Sequence, residues 1–207
     1  MYKRQEQTCY PESMRIREVF KWTKNFYPEF DLENAQKLAQ LFGLNLQKKV
    51  KELSTGYGSI FKLIIALSLD LPFILLDEPV LGLDANHRDL FYRLLVESYS
   101  ERPRTIVIST HLIEEVANVI EHVVIIKEGK IIENEATETL LARGYTISGL
   151  SAAVDAYIMG KQVLSTESLG GLKTAYLMGR LEKESLPEGL EATKLDLQKL
   201  FIQLTNQ

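Results

Sequence analysis

Cysteine is nearly absent. Cys9 stands alone among 207 residues, which excludes an internal disulfide and fits a reducing compartment. Long apolar runs are absent too. The nearest candidate, from Ile60 to Leu76, is interrupted by Lys62 and Asp70 and falls short of the ~18 apolar residues that a spanning helix needs. Any membrane contact is therefore expected to run through a partner. The first residues lack the apolar core of a secretory signal, so none is expected. There is no basic excess: the net charge of −4 argues against broad, non-specific nucleic-acid binding. Repeats, low-complexity tracts and the patterns His-Glu-x-x-His, Gly-x-Ser-x-Gly, Gly-x-Gly-x-x-Gly and Cys-x-x-Cys are missing, which removes the zinc-protease, hydrolase-elbow, dinucleotide and dithiol chemistries they carry. What remains is 45% hydrophobic and 25% charged, a composition for one large or two small well-packed globular domains.

The stretch Phe73-Ile74-Leu75-Leu76-Asp77-Glu78-Pro79 organises the rest. Its apolar residues run without alternation, which reads as a strand buried on both faces. Two carboxylates follow, and Pro79 stops the strand behind them. In open parallel sheets ligands sit outside the carboxyl ends of strands, so Asp77 and Glu78 stand where a ligand would be met. A second buried strand, Thr105-Ile106-Val107-Ile108, ends in Ser109-Thr110-His111.

Helical signals surround these strands. Ser13 is the expected cap of a helix with Ile16, Val19 and Phe20 on one face. Asp31 caps a second, with Ala35, Leu38, Ala39 and Phe42 as its stripe and Gly43 as its terminator. Lys48 to Glu52 reads as a polar connection. Ser54 caps a mostly apolar helix expected from Ser59 to Leu69. Gly56 leaves room for a ligand to approach the backbone, and a helix start offers free N–H groups to an anion. Asp84 caps a helix with Leu90, Phe91, Leu94 and Leu95, and Ile113 to Ile120 reads as another helix. Glu128-Gly129 marks a hairpin. Further on come a short strand at Tyr145-Thr146-Ile147, a helix capped by Ser151 and ended by Gly160, a hairpin around Gly170-Gly171, and a last helix capped by Asp196. This C-terminal part shows no cluster of catalytic groups and reads as structural or regulatory.

In order and spacing, Leu53-Ser54-Thr55-Gly56-Tyr57, the Phe73–Pro79 strand, Gly82-Leu83-Asp84 and His111 resemble the signature motif, Walker B strand, D-loop and H-switch of ATP-binding-cassette (ABC) ATPases. The resemblance covers about Glu6 to Ile147. The overall pattern, with an appended tail ending Leu195-Asp196-Leu197-Gln198-Lys199-Leu200-Phe201, is similar to that of bacitracin-type exporter ATPases. The resemblance implies an α/β fold with an incomplete P-loop NTPase-like parallel sheet, a helical subdomain over about residues 10–70, and a small C-terminal α/β appendage. The implied partition is a partial nucleotide-binding domain at 6–149 and an accessory region at 150–207.

The resemblance also implies roles. Asp77 would hold Mg²⁺, Glu78 would take a proton from the attacking water, and His111 would contact the γ-phosphate of ATP. Ser54, Gly56 and Asp84 would face a nucleotide held by a second ABC ATPase subunit. Gln7 would be the Q-loop glutamine, with Glu6 one residue away and the register open. Membrane permease subunits would be the other partners, which would put the chain at the cytoplasmic face of the membrane, with no nucleic acid expected. Non-transport ABC ATPases of DNA repair or translation, and a degenerate, non-catalytic interaction module, stay open as alternatives.

The sequence departs from the family at Thr55, where glycine is usual, and at Tyr57, where glutamine is usual. No Gly-x-x-x-x-Gly-Lys-Ser/Thr occurs, so the phosphate-cradling loop and its lysine are missing, as is the aromatic residue on which adenine would stack. Residues 1–5 read as a non-native scar, because one codon spelling of Tyr2-Lys3-Arg4-Gln5 matches a transposon end used in library preparation. The chain is thus expected to be the back part of a longer ATPase.

Overall fold

The structure is a computed structural model that describes residues 10–181 and 186–205. The suspected scar and the Gln7 and Glu6 positions lie outside the described residues. The chain divides into two compact units, 1–111 and 112–207.

The first unit opens with helices. α1 (Ile16–Phe26) presents Ile16, Val19, Phe20 and Thr23 to the interior. Its N-cap is Arg15, not Ser13, and the Glu18 carboxylate accepts the Arg15 N–H at 3.0 Å, half of a capping box. α2 (Leu32–Leu41) is capped by Asp31, whose carboxylate accepts the Asn34 N–H at 2.8 Å. Gly43 ends it at φ 64°. Gly43 N–H bonds the Gln40 carbonyl and Leu44 N–H the Ala39 carbonyl, so the last carbonyls of the helix are satisfied by a Schellman arrangement. The polar connection contains a 3₁₀ turn, Val50–Glu52, that buries Val50. α3 (Thr55–Leu67) starts four residues earlier than the apolar run suggests. Ser54 can cap it there because neither Gly56 nor Gly58 stops a first turn from forming. Phe20, Phe30, Phe42, Phe61 and Ile64 are fully buried, and Phe20 stacks on Phe61.

β1 (Phe73–Asp77), α4 (Ala85–Glu101) and β2 (Thr105–Ser109) complete this unit. β1 and β2 pair in parallel, with Phe73 opposite Thr105 and Asp77 opposite Ser109. The expectation that β1 is buried on both faces is overturned. Ile74 and Leu76 are 5% and 8% exposed, whereas Phe73, Leu75 and Val107 are 67%, 78% and 50% exposed. Successive side chains point to opposite faces, and only one face of this pair is covered among the described residues.

The second unit begins with a short helix, α5 (Ile113–Val116), which stops well before Ile120. β3 (His122–Lys127) and β4 (Lys130–Ala136) form an antiparallel hairpin. Glu128 at φ 50° and Gly129 at φ 75° make its turn, both left-handed as the twist of a two-residue hairpin demands. α6 (Thr137–Leu141), β5 (Gly144–Leu150), α7 (Ser151–Ile158), β6 (Val163–Leu169), β7 (Leu172–Met178), β8 (Leu190–Lys194) and α8 (Leu197–Thr205) follow. The sheet order is β6-β7-β5-β8. β5 pairs with β7 along its whole length and with β8 from Tyr145 to Gly149, so this strand straddles the partition expected at residues 149 and 150. α7 is capped at Leu150, while the Ser151 hydroxyl donates to the Gly171 carbonyl. Asp196 caps α8, accepting the Lys199 N–H at 2.9 Å. One core packs Tyr145, Ile147, Val154, Ala175, Leu177 and Leu190, and a second packs Ile125, Leu140, Tyr176, Leu195, Leu197 and Leu200.

Candidate functional site

Parallel pairing fixes which groups meet at the strand ends. With Asp77 opposite Ser109, the three residues that follow β1 and β2 leave the sheet side by side. The Ser109 hydroxyl donates to Asp77 Oδ1 at 2.5 Å. Glu78 N–H then bonds the Ser109 carbonyl at 2.8 Å, turning the chain so that the Glu78 carboxylate reaches across to the other strand end. There Glu78 Oε2 accepts the Thr110 hydroxyl at 3.1 Å. Glu78 Oε1 accepts the His111 N–H at 3.1 Å and lies 2.8 Å from His111 Nδ1. Among the described residues, Glu78 is one of two non-glycine residues with positive φ, at 47°. A left-handed conformation of this kind costs an L residue about 1–2 kcal/mol, and the three contacts to the second strand end hold it.

Exposure differs across this group. The Glu78 side chain is 22% exposed and that of His111 is 65% exposed. The carboxylate is thus partly sheltered, held by Thr110 and His111, and the imidazole beside it is open to solvent. Asp77 is exposed at the strand tip, and Ser109 is one of the groups that bond its carboxylate. No cluster of three or more His, Cys, Asp or Glu among the described residues could hold a metal ion. One exposed carboxylate suits Mg²⁺, which keeps much of its water and takes the remaining ligands from substrate phosphate.

A second group forms at the start of α3. Ser54 Oγ accepts the Tyr57 N–H at 3.4 Å. Gly56 lies so near the turn after β1 that an added β-carbon would come within 2.7 Å of the Gly82 carbonyl oxygen. The Ser59 hydroxyl donates to the Leu81 carbonyl at 3.4 Å. Gly82 itself is left-handed at φ 82°, a conformation glycine takes without strain. Asp84 caps α4, accepting the His87 N–H at 2.9 Å, and its second oxygen is 2.9 Å from His87 Nδ1. These bonds, the backbone one first and the side-chain one second, hold the Asp84 carboxyl below its ordinary range.

The structure thus gathers Asp77, Glu78 and His111 at the strand ends, and Ser54, Gly56 and Asp84 around the turn that follows β1. The sequence had not singled out Ser109, Thr110 or His87. Ser109 and Thr110 were legible in principle: two hydroxyls directly before a strand-end histidine, on a strand parallel to the one bearing the acids. His87 carried no such signal, since its contact to Asp84 depends on the cap.

The fold is that of an ABC ATPase domain, of mixed α/β type with a parallel sheet. A structure described as the ATP binding subunit of an ABC transporter superposes with a TM-score of 0.59 at 20% identity, covering 66% of this chain and 58% of that one. The family described as "AAA domain, putative AbiEii toxin, Type IV TA system" matches residues 17–117. The chain is similar to the ABC transporter ATP-binding protein YtrB of Bacillus subtilis, 34% identical over 93 residues, which are 45% of this chain and 32% of that protein. It is also similar to the energy-coupling factor transporter ATP-binding protein EcfA2 of Staphylococcus saprophyticus, 30% identical over 134 residues, 60% of this chain and 47% of that protein. The chain therefore spans about a third to a half of the length of these curated relatives. No helix among the described residues is long and apolar enough to cross a membrane.

Proposed function

We propose that this chain is part of the ATP-hydrolysing subunit of an ABC transporter, bearing its signature, Walker B, D-loop and H-switch residues. The observation that carries this reading is the meeting of the Glu78 carboxylate with Thr110 and His111 at the tips of two neighbouring parallel strands. Glu78 accepts the proton of the attacking water. His111 orients that water and contacts the terminal phosphoryl group. Asp77 holds Mg²⁺, which when bound neutralises charge on the phosphoryl oxygens. Ser54 and Gly56 meet the phosphates of a nucleotide carried by a second ABC ATPase subunit, and Asp84 lies on the same face. Gln7 belongs to this proposal by resemblance. A permease supplies the membrane path, and the chain works at the cytoplasmic face beneath it. The finer reading, an exporter of the bacitracin type, is supported by the ending from Leu195 to Phe201.

The sequence holds no Gly-x-x-x-x-Gly-Lys-Ser/Thr, so the 207-residue chain by itself is expected neither to bind Mg-ATP tightly nor to hydrolyse it. Calorimetry that finds micromolar binding would overturn that expectation. The functional reading is tested by pairing. Mixed with an ABC ATPase subunit that carries a phosphate-binding loop, the chain should associate only when Mg-ATP is present. With a phosphate-binding segment restored on its own chain, Glu78→Gln should lower the hydrolysis rate by about 10²–10⁴. Association that ignores nucleotide, or recovery with ribosomes or nucleic acid in place of a permease, would count against transport.

A further inference from the structure

His87 lies outside every motif of the resemblance, yet it touches three elements at once. Its Nδ1 is 2.9 Å from the Asp84 carboxylate. Its ring stacks on Phe42 at the end of α2, with centroids 6.1 Å apart and planes at 21°. It meets Tyr57 in the first turn of α3 edge-on, also at 6.1 Å. Phe42 is fully buried, so one wall of this slot belongs to the core of the unit. Tyr57 is one of the two positions where the signature turn departs from its usual residues, and here it forms the other wall.

The same two segments meet again beside His87. The Gly56 backbone lies against the Gly82 carbonyl, and Ser59 donates to the Leu81 carbonyl. Two contacts therefore join the turn 79–84 to the start of α3, and a third, from His87 in the first turn of α4, joins α4 to Tyr57 beside them. Of these, only the His87 contact also fixes a carboxylate, through two bonds to Asp84.

We propose that His87 is a positioning residue that ties the turn bearing Asp84 to the first turn of α3, so that Ser54, Gly56 and Asp84 are presented to a partner subunit as one rigid surface. The Nδ1 bond sets the Asp84 rotamer, and the ring, clamped between Phe42 and Tyr57, carries that constraint into α3. Tyr57 then has a role of its own: an aromatic edge that glutamine could not supply. The value of this surface to catalysis rests on the proposed ABC function; the mechanical coupling does not.

The test therefore uses no nucleotide. Amide hydrogen exchange is measured on the full chain carrying His87→Phe, which keeps a ring in the slot and removes the Nδ1 bond, and on His87→Asn, whose side-chain amide restores a donor near the same place. His87→Phe should speed exchange about fivefold or more, the equivalent of one modest hydrogen bond, at Leu83 in the turn and at Tyr57 and Gly58 in α3 together. The amides of α2 should not change. His87→Asn should return Leu83 toward the parent rate. The groups facing the imidazole are the Asp84 carboxylate on its own turn and the Tyr57 phenol from α3, with uncharged Phe42 from α2. Faster exchange at Leu83 without any change at Tyr57 and Gly58 would reduce His87 to a local partner of the cap and overturn the proposal, as would no change anywhere. Failure of nucleotide-dependent pairing with intact exchange coupling would instead strike the functional reading alone.

Discussion

Two of the three sheets among the described residues, the four-stranded one and the parallel pair β1–β2, are made from similar residues and end up differently clothed. In the four-stranded sheet, Ile147, Ala175 and Leu177 on one face pack with Val154 of α7, while Tyr176 on the other packs with Leu197 and Leu200 of α8. In the two-stranded parallel sheet, Ile74 and Leu76 are buried but Phe73, Leu75 and Val107 stand open to solvent. Strand chemistry is nearly the same in both; what differs is whether an element lies across each face. The better covered sheet carries no cluster of catalytic groups, and the partly bare one ends in the acids and the histidine. The polar tips of β1 and β2 are bonded to one another through Ser109, Thr110 and His111, so the site is held by its own hydrogen bonds where apolar cover is thin.

The largest contrast should come from cutting side chains on the two sheets. Ile147→Ala removes a fully buried side chain and is expected to lower stability by about 2–5 kcal/mol in urea unfolding. Leu75→Ala, on the open face, should stay within about 0.5 kcal/mol. Equal losses would mean that β1 is buried in solution and would break the comparison.

Next in size is Gly56→Ala. Its β-carbon would meet the Gly82 carbonyl oxygen at 2.7 Å, a backbone atom with little freedom to yield, so overpacking of about 1–3 kcal/mol is expected. Gly58→Ala, with open space around it, is the control and should be neutral or mildly stabilising, since alanine favours a helix. If both substitutions behave alike, the turn does not rest on α3.

A smaller effect should appear in dye binding. Phe73→Ser with Leu75→Ser should reduce fluorescence of a hydrophobic dye and slow aggregation, with the urea midpoint little changed. The same pair of changes at Leu169 and Leu172, exposed at the tip of the β6–β7 hairpin, would sharpen the comparison by showing whether the dye reports the parallel sheet in particular.

The smallest effect is electrostatic. Lys199 of α8 bonds Glu167 of β6, and Tyr176 donates to the other Glu167 oxygen at 3.2 Å. The hydrogen bond from Lys199 lowers the Glu167 carboxyl, and the same bond raises Lys199, while burial above all raises Tyr176. A depressed carboxyl stabilises above its unfolded pKa and loses that contribution as pH falls through the folded value. A raised ammonium stabilises below its unfolded pKa and loses it as pH rises through the folded one. The α8 contact should therefore be firmest between those limits and loosen on the acid side first, seen as faster exchange in α8 amides. Glu167→Gln should flatten the acid limb.

Much of this was legible in the sequence, and the gaps have physical causes. Asp31, Asp84 and Asp196 each cap the helix expected of them because a carboxylate before an apolar-periodic run has a local reason to bond the next turn. Glu128-Gly129 fixes its hairpin by backbone conformation alone. The unbroken run Phe73–Leu76 gave the strand but not its cover, because an apolar pattern states what a residue can bury and not what will arrive to bury it. Ser13 was the expected cap, yet Glu18 reaching back to the Arg15 N–H marks where α1 begins. β8, Leu190-Glu191-Ala192-Thr193-Lys194, is a strand because β5 offers it an edge to pair with; its own residues do not announce it. α6 is too short for any period to show. In the site, carboxylates and histidine could be named from motif order, whereas Ser109, Thr110 and His87 emerge only once strand register and cap geometry are known.

The left-handed backbone at Glu78 sets two demands on one position against each other. Glycine there would relieve a conformation that costs glutamate about 1–2 kcal/mol, and would remove in the same stroke the carboxylate that bonds Thr110 and His111. Whatever ease the backbone gained, the two strand tips would lose the group that bridges them.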